Sequence, residues 1–279
     1  MNRTFAKFSA LFLSLLVMGA MPASAKIEKK VPSPKPSLSP AIVNPELIER
    51  IEGAEVNWTK GMIKATGVGI APERGALSQR RALARRDAYQ DAYQSLSDSL
   101  EPIRVNGDSA LRDLLVGDEG LKLHLNELVR DAEIGDARLL PDGSVEVALS
   151  LPLYGASGLA GTALPPQPSV ATASCAFTGV VVDGRGCGAQ PALLPALKGP
   201  DGKVLFPNGF APAVFQNGPV KYFHSPDAAK AAMGKNPLVL KVRLSGGATR
   251  ADLIFDEASA KQLLPAKNCL QKGALAIVL

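Results

Sequence analysis

Val145, Val147, Leu149, Leu151 and Leu153 alternate with Glu146, Ala148, Ser150 and Pro152, a two-residue period that buries one face of a strand. Pro141-Asp142-Gly143 precedes this run, and residues 133–140 precede the turn, so the segment reads as a hairpin with left-handed turn backbone at Asp-Gly. Upstream, residues 58–70 read as one or two strands in which Ala65, Gly67 and Gly69 share a nearly flat face. The period then changes. Ala82, Tyr89, Tyr93, Leu96 and Leu100 form a helical stripe with Ala84, Ala88 and Ala92 beside it, bounded by Pro72 and Pro102. A strand with no side chains on one face, followed by an alanine-rich helix, predicts close packing of the two. A short helix over 46–53, a short strand over 103–105 and helical turns over 109–116 and 121–131 complete an α/β unit with a small sheet on one long helix.

Residues 164–173, LPPQPSVATA, cannot continue helix or central strand and mark a proline-rich linker between regions 46–163 and 174–279. Beyond it, strands are predicted over 177–183, 193–197, 203–206, 238–244, 251–255 and 274–279, with Pro200-Asp201-Gly202 as a second hairpin turn and Asn208-Gly209 and Asn217-Gly218 as further turns. Helices are expected over 226–233 and 257–264. The fold class is therefore α+β: an N-terminal α/β unit, then a mostly β region with short helices.

The first residues change the picture of where such a fold works. Arg3 and Lys7 give a basic start, residues 8–20 an apolar run, and Ala23-Ser24-Ala25 a small-x-small site, which together read as a secretory signal peptide over 1–25 cleaved after Ala25. The run is too short to span a bilayer, so the mature chain is expected to carry no transmembrane segment. Residues 26–45 contain VPSPKPSLSP and read as a semi-rigid proline-rich tether or a disordered start. Cleavage removes Arg3 and Lys7 and lowers the net charge from +5 to +3. So small a surplus on an exported chain argues against nucleic acid as partner. Three cysteines in an oxidising compartment allow one internal bridge. Cys175 and Cys269 lie before the first and last strands of the second region and are the expected pair, with Cys187 the rival.

Candidate chemistry is thin. Gly67-Val68-Gly69 begins like a dinucleotide loop, but Pro72 stands where the third glycine is needed. Ser157 in GASGL lacks the second glycine of a nucleophile elbow. His124 and His224 lie in different regions without clustered ligands, so no metal site, cofactor site or catalytic residue is assigned. His124, between Leu123 and Leu125, reads as a structural histidine. Arg80, Arg81, Arg85 and Arg86 point around the helix as a solvated surface, and Asp87 and Asp91 as surface charges. Asp183, Arg185 and Cys187 in DGRGCG read as a tight turn that could instead bind an anion. Asp183, Cys187 and His224 would be the residues of a hydrolase, and Trp58 with the tyrosines the lining of a small-ligand or polysaccharide sensor pocket.

ATGVGIAP, Leu83-Ala84-Arg85-Arg86-Asp87-Ala88 and Asp91-Ala92-Tyr93-Gln94-Ser95-Leu96, followed by IRVN, resemble the bacterial envelope proteins grouped with the twenty-kilodalton lipoprotein (LPP20-like) and with the N-terminal domain of flagellar assembly protein T. Asp87 and Gln94 stand where that pattern has alanine and arginine. FTGVVVDGRGCGAQPALLPAL looks like the continuation in longer secreted members. The resemblance implies a periplasmic or secreted envelope protein, not an enzyme, with a structural or protein-interaction role. Its implied partners are envelope or flagellar proteins. It brings no catalytic residues, and this chain lacks the lipobox cysteine of the lipoprotein members. The expected function is thus an accessory of flagellum or envelope assembly, with the hydrolase and the ligand sensor as alternatives.

Overall fold

Six strands of the N-terminal region pair antiparallel into one sheet. They are β1 (Ile48–Ile51), β2 (Ala54–Asn57), β3 (Met62–Gly69), β4 (Glu133–Ile134), β5 (Arg138–Leu139) and β6 (Val145–Pro152), in the order β1-β2-β3-β6, with β4 and β5 both on the outer edge of β6. The computed structural model describes residues 46–164, 168, 174–207, 209–210 and 214–279. The leader with its cleavage site after Ala25, the tether and most of the 164–173 linker lie outside the described residues.

The expected helix over 46–53 is instead the β1–β2 hairpin. Glu52 and Gly53 both adopt positive φ, 44° and 84°, the backbone of a two-residue turn whose twist matches its flanking strands. Ile48 and Ile51, three residues apart, suit a helical spacing; the long-range partners of Glu49, described below, keep the segment extended. The expected hairpin around Gly143 forms, with Leu139 opposite Val145 and φ of 85° at the glycine. Its first arm is broken at Asp136-Ala137 into β4 and β5.

Helix α1 (Leu77–Leu100) lies on β3 and β6. Its buried line is Ala84, Ala88, Ala92, Leu96, Ser99 and Leu100, whereas Ala82 is exposed and Tyr89 and Tyr93 are only half-buried. The seam thus runs through the alanines rather than the tyrosine stripe. A Cβ added to Gly67 would lie 2.8 Å from Ala92 Cα, and one added to Gly69 would lie 2.8 Å from the Ala84 carbonyl carbon. Only a glycine face and an alanine face permit that approach.

Short helices α2 (Leu111–Leu115) and α3 (Glu119–Arg130) follow, and α4 (Leu159–Ala163) packs on α3. Residues 103–105, expected as a strand, make only one isolated bridge, Arg104 to Ala110. Asp118 caps α3 by accepting from Leu121 N at 2.9 Å.

The C-terminal region contains two four-stranded sheets. One is parallel throughout, in the order β10-β14-β7-β11, and is built from β7 (Gly179–Asp183), β10 (Lys221–Phe223), β11 (Pro237–Lys241) and β14 (Leu275–Val278). The other runs β12-β13-β8-β9, from β8 (Leu197–Lys198), β9 (Val204–Phe206), β12 (Leu244–Gly246) and β13 (Asp252–Ile254). Helices α5 (Val214–Asn217), α6 (Pro226–Met233), α7 (Glu257–Leu263) and α8 (Lys267–Gln271) connect them. Alternation along β7 and β14 assigns the two faces of the parallel sheet. Val181, Ala276 and Val278 pack with Ala229 and Met233 of α6, whereas Val180, Val182 and Ile277 enter the main core.

That main core is continuous across both regions, and the described residues from 46 to 279 form one compact unit. The architecture is α+β, a small sheet on a long helix followed by a mostly β region with short helices. Cys175 and Cys269 form a disulfide with Cα atoms 5.7 Å apart, and Cys187 is the free cysteine. The bridge joins the approach to β7 to the helix that precedes β14, so it closes the parallel sheet at its N-terminal edge. Alkylation of unreduced, denatured protein is expected to modify one cysteine per chain, Cys187, as read by intact mass.

Candidate functional site

Of the aromatic residues that could have lined a ligand pocket, Trp58, Tyr154 and Tyr222 sit inside the junction of the two regions, and Tyr89 and Tyr93 are half-buried on α1. Trp58, in the β2–β3 turn, is 1% exposed; its indole N–H donates to Glu49 Oε2 at 2.9 Å, and its ring meets Tyr222 of β10 edge-on with centroids 5.7 Å apart. Glu49 also holds Arg104 in an ion pair, and Arg104 Nε donates to Pro191 O at 2.7 Å. The Tyr222 hydroxyl donates to Ala192 O at 2.9 Å and accepts from Ala192 N at 3.0 Å. Burial pushes its pKa above the usual tyrosine range. Tyr154 donates to Leu193 O at 2.9 Å, and burial, then the nearby Tyr222, raises its pKa as well. These groups read one backbone segment, 191–193, from two sides. Tyr222→Phe is expected to remove about 1–2 kcal/mol of stability in urea titration without changing secondary structure, because it strips two buried partners.

The DGRGCG loop leaves β7 at the carboxyl edge of the parallel sheet, the edge where open α/β sheets collect ligands. The side chains of Asp183, Arg185 and Cys187 are already engaged. Asp183 accepts from Arg185 Nε at 2.9 Å and from the same guanidinium's Nη2 at 2.8 Å, and it also takes the Arg185 backbone N–H. That hydrogen bonding holds the carboxyl below the usual aspartate range. The Cys187 thiol donates to Gly184 O at 2.8 Å, and Ser245 Oγ donates to Cys187 O at 2.8 Å, tying the loop to β12. Gly186 and Gly188 take φ of 80° and 71°, which the tight turn requires.

His224 follows β10. Phe223 is in register with Val278, and Val278 with Asp183, so β14 stands between the histidine and the loop. At the spacing of sheet strands their backbones are about 10 Å apart. Asp183, Cys187 and His224 therefore share an edge without forming a hydrogen-bonded set. His124 is exposed on α3 rather than structural. With Glu127, Asp131, Ser150, Ser157 and Thr162 it lines a groove of about 650 Å³. Among the described residues no group of three or more His, Cys, Asp or Glu side chains could hold a metal ion.

A third constellation gave no motif in the sequence. Asp252 of β13 is 1% exposed, and its carboxylate accepts from Gly107 N and Ala196 N, both at 2.9 Å, and from Lys198 Nζ at 2.6 Å. The ammonium of Lys198 is held above the ordinary lysine range first by that hydrogen bond. Thr249 N donates to Gly107 O at 2.8 Å, and Gly247 lies flat against the Gly107 backbone, where a Cβ would collide. Asp252 therefore stitches the loop after α1 to the second sheet. The one available signal was a lone carboxylate within the apolar run ADLIF.

Residues 179–279 match the family described as Treponema pallidum Tp0624, second domain. The match begins at the first residue of β7 and takes in both C-terminal sheets. No curated protein matches the chain.

Proposed function

We propose that this chain is an exported protein of the cell envelope that acts by structure and protein interaction, as an accessory of envelope or flagellum assembly. The observation that carries the reading is the occupation of its candidate reactive groups. Asp183 binds its neighbour Arg185, the Cys187 thiol closes its own loop, and His224 stands across an intervening strand. A Cys175–Cys269 bridge fits an oxidising compartment, where structural disulfides persist. The resemblance to the twenty-kilodalton lipoprotein family and flagellar assembly protein T rests on the strand-helix motif, whose glycines and alanines serve packing. The partial match to a Treponema pallidum domain adds a likeness in the C-terminal region but no activity.

The test is complementation of a deletion strain. An envelope-integrity or motility defect is expected on deletion, and a triple variant, Asp183→Asn, Cys187→Ser and His224→Ala, is expected to restore it fully at normal protein level. A deletion without either defect contradicts the assembly role. A folded triple variant that fails to complement supports the hydrolase reading instead.

A further inference from the structure

The buried seam of α1 starts late. Gly69, the last residue of β3, abuts Ala84, and no residue from Leu77 to Leu83 is buried. Those seven positions advance about 10 Å along the helix axis, past the end of the strand that supports the rest. The overhang keeps the rotational phase of the seam: at about 100° per residue, Leu77, Arg80 and Arg81 fall within about 60° of Ala84. A face that is core further along the helix is therefore presented to solvent here, with Leu77 flanked by Arg80 and Arg81.

Leu77 is 60% exposed, Leu83 43%, and Ile70, in the loop beneath, 79%. Around them stand Arg74, Arg81, Arg85 and Arg86, all exposed, while Arg80 donates to Pro72 O and fixes the loop to the helix. From Ile70 to Arg86 the chain carries five arginines against one acid, Glu73. Asp87 lies 3.8 Å from Arg86, and Asp91 is engaged with Val68 N. Large aliphatic side chains among arginines, at the free end of a helix anchored in a sheet, have the composition of an interfacial segment. Leucine and isoleucine enter the headgroup boundary, and arginines meet phosphates with the bidentate geometry lysines lack.

We propose that the overhanging end of α1, with Ile70, docks on an anionic phospholipid surface. The partner follows from charge complementarity joined to isolated aliphatic side chains, which suit insertion between headgroups. This goes beyond the assembly reading and stands apart from it, since purified chain and vesicles are enough to show it.

Flotation of the full chain with vesicles tests it, comparing phosphatidylglycerol–phosphatidylcholine vesicles with phosphatidylcholine alone. Binding is expected to the anionic vesicles only and to weaken as salt rises. Arg81→Glu with Arg85→Glu is expected to weaken it about a hundredfold or more. Leu77→Ser is expected to weaken it by about tenfold, as burial of one leucine predicts. None of the three residues belongs to the buried seam, so melting should be unchanged. Equal binding to both vesicle types, or full binding by the charge-reversed variant, overturns the proposal. So does a chain that ignores vesicles yet binds polyglutamate through the same arginines.

Discussion

Gly67→Val unfolds in urea with a stability lower by about 3 kcal/mol, at the upper end of ordinary overpacking effects. The reason is what the new side chain meets. Nearest to an added Cβ at Gly67 are Ala92 N, Ala88 O and Ala92 Cα, all helix backbone, so no side chain can rotate away. Relief requires lifting α1 from β3, and the helix contributes Leu96 and Leu100 to the core on the same line. Val68→Thr, one residue on and pointing to the exposed face, serves as control and changes stability by no more than about 0.5 kcal/mol. Equal stability of the two variants would show that the helix does not sit on the glycine face.

Asp252→Ala is the second large effect, about 3–5 kcal/mol in the same measurement. It leaves two backbone N–H groups and the Lys198 ammonium, whose side chain is only 22% exposed, without their acceptor. The penalty is mostly that of the uncompensated cation. Adding Lys198→Met to Asp252→Ala should therefore recover part of the loss, and a double-mutant cycle measures how much. The pH dependence follows from the raised pKa of Lys198. Its contribution is fully present below the ordinary lysine value and is lost as pH rises through the raised one. Independent, additive losses at the two positions would contradict a coupled pair.

These two sites differ in how far the sequence reveals them. Gly67 and Gly69 sit in a period-two pattern beside an alanine-rich helix, and both patterns are local, so the close approach could be anticipated before any coordinates. The alternation of β6 and the Asp-Gly hairpins at Gly143 and Gly202 were legible for the same reason: each depends on residues within a few positions. The phase of α1 was misread because tyrosines bury more area than alanines on a generic helix. Here the flat strand face selects the smaller side chains, and that preference is a property of the pair. The β1–β2 hairpin was missed because Ile48 and Ile51, three residues apart, suit a helix and fall on opposite faces of a strand, and the decision came from Trp58 and Arg104, which reach Glu49 over 9 and 55 positions.

Nor could the parallel order β10-β14-β7-β11 be read from short apolar runs, since nothing in a run specifies its neighbour. Asp252 depends on residues 56 and 145 positions away. At the candidate site, the residue types of DGRGCG were visible, but whether they act or hold the turn depended on what their polar atoms already bind. Asp183 and Arg185 turn out to be each other's partners, and the Cys187 thiol binds the backbone of its own loop. The arginines of α1 were legible as charges, while their position beyond the sheet's end was not.

The proposed function requires export of the chain, whose Cys175 and Cys269 are bridged and whose Cys187 is the remaining thiol. Fractionation of cells carrying the tagged chain, with trapping of thiols by alkylation before lysis and again after reduction, tests it most directly. Protein is expected outside the cytoplasm, with Cys187 alkylated in the first step and Cys175 and Cys269 only after reduction. Cytoplasmic protein with all three cysteines alkylated in the first step would contradict it.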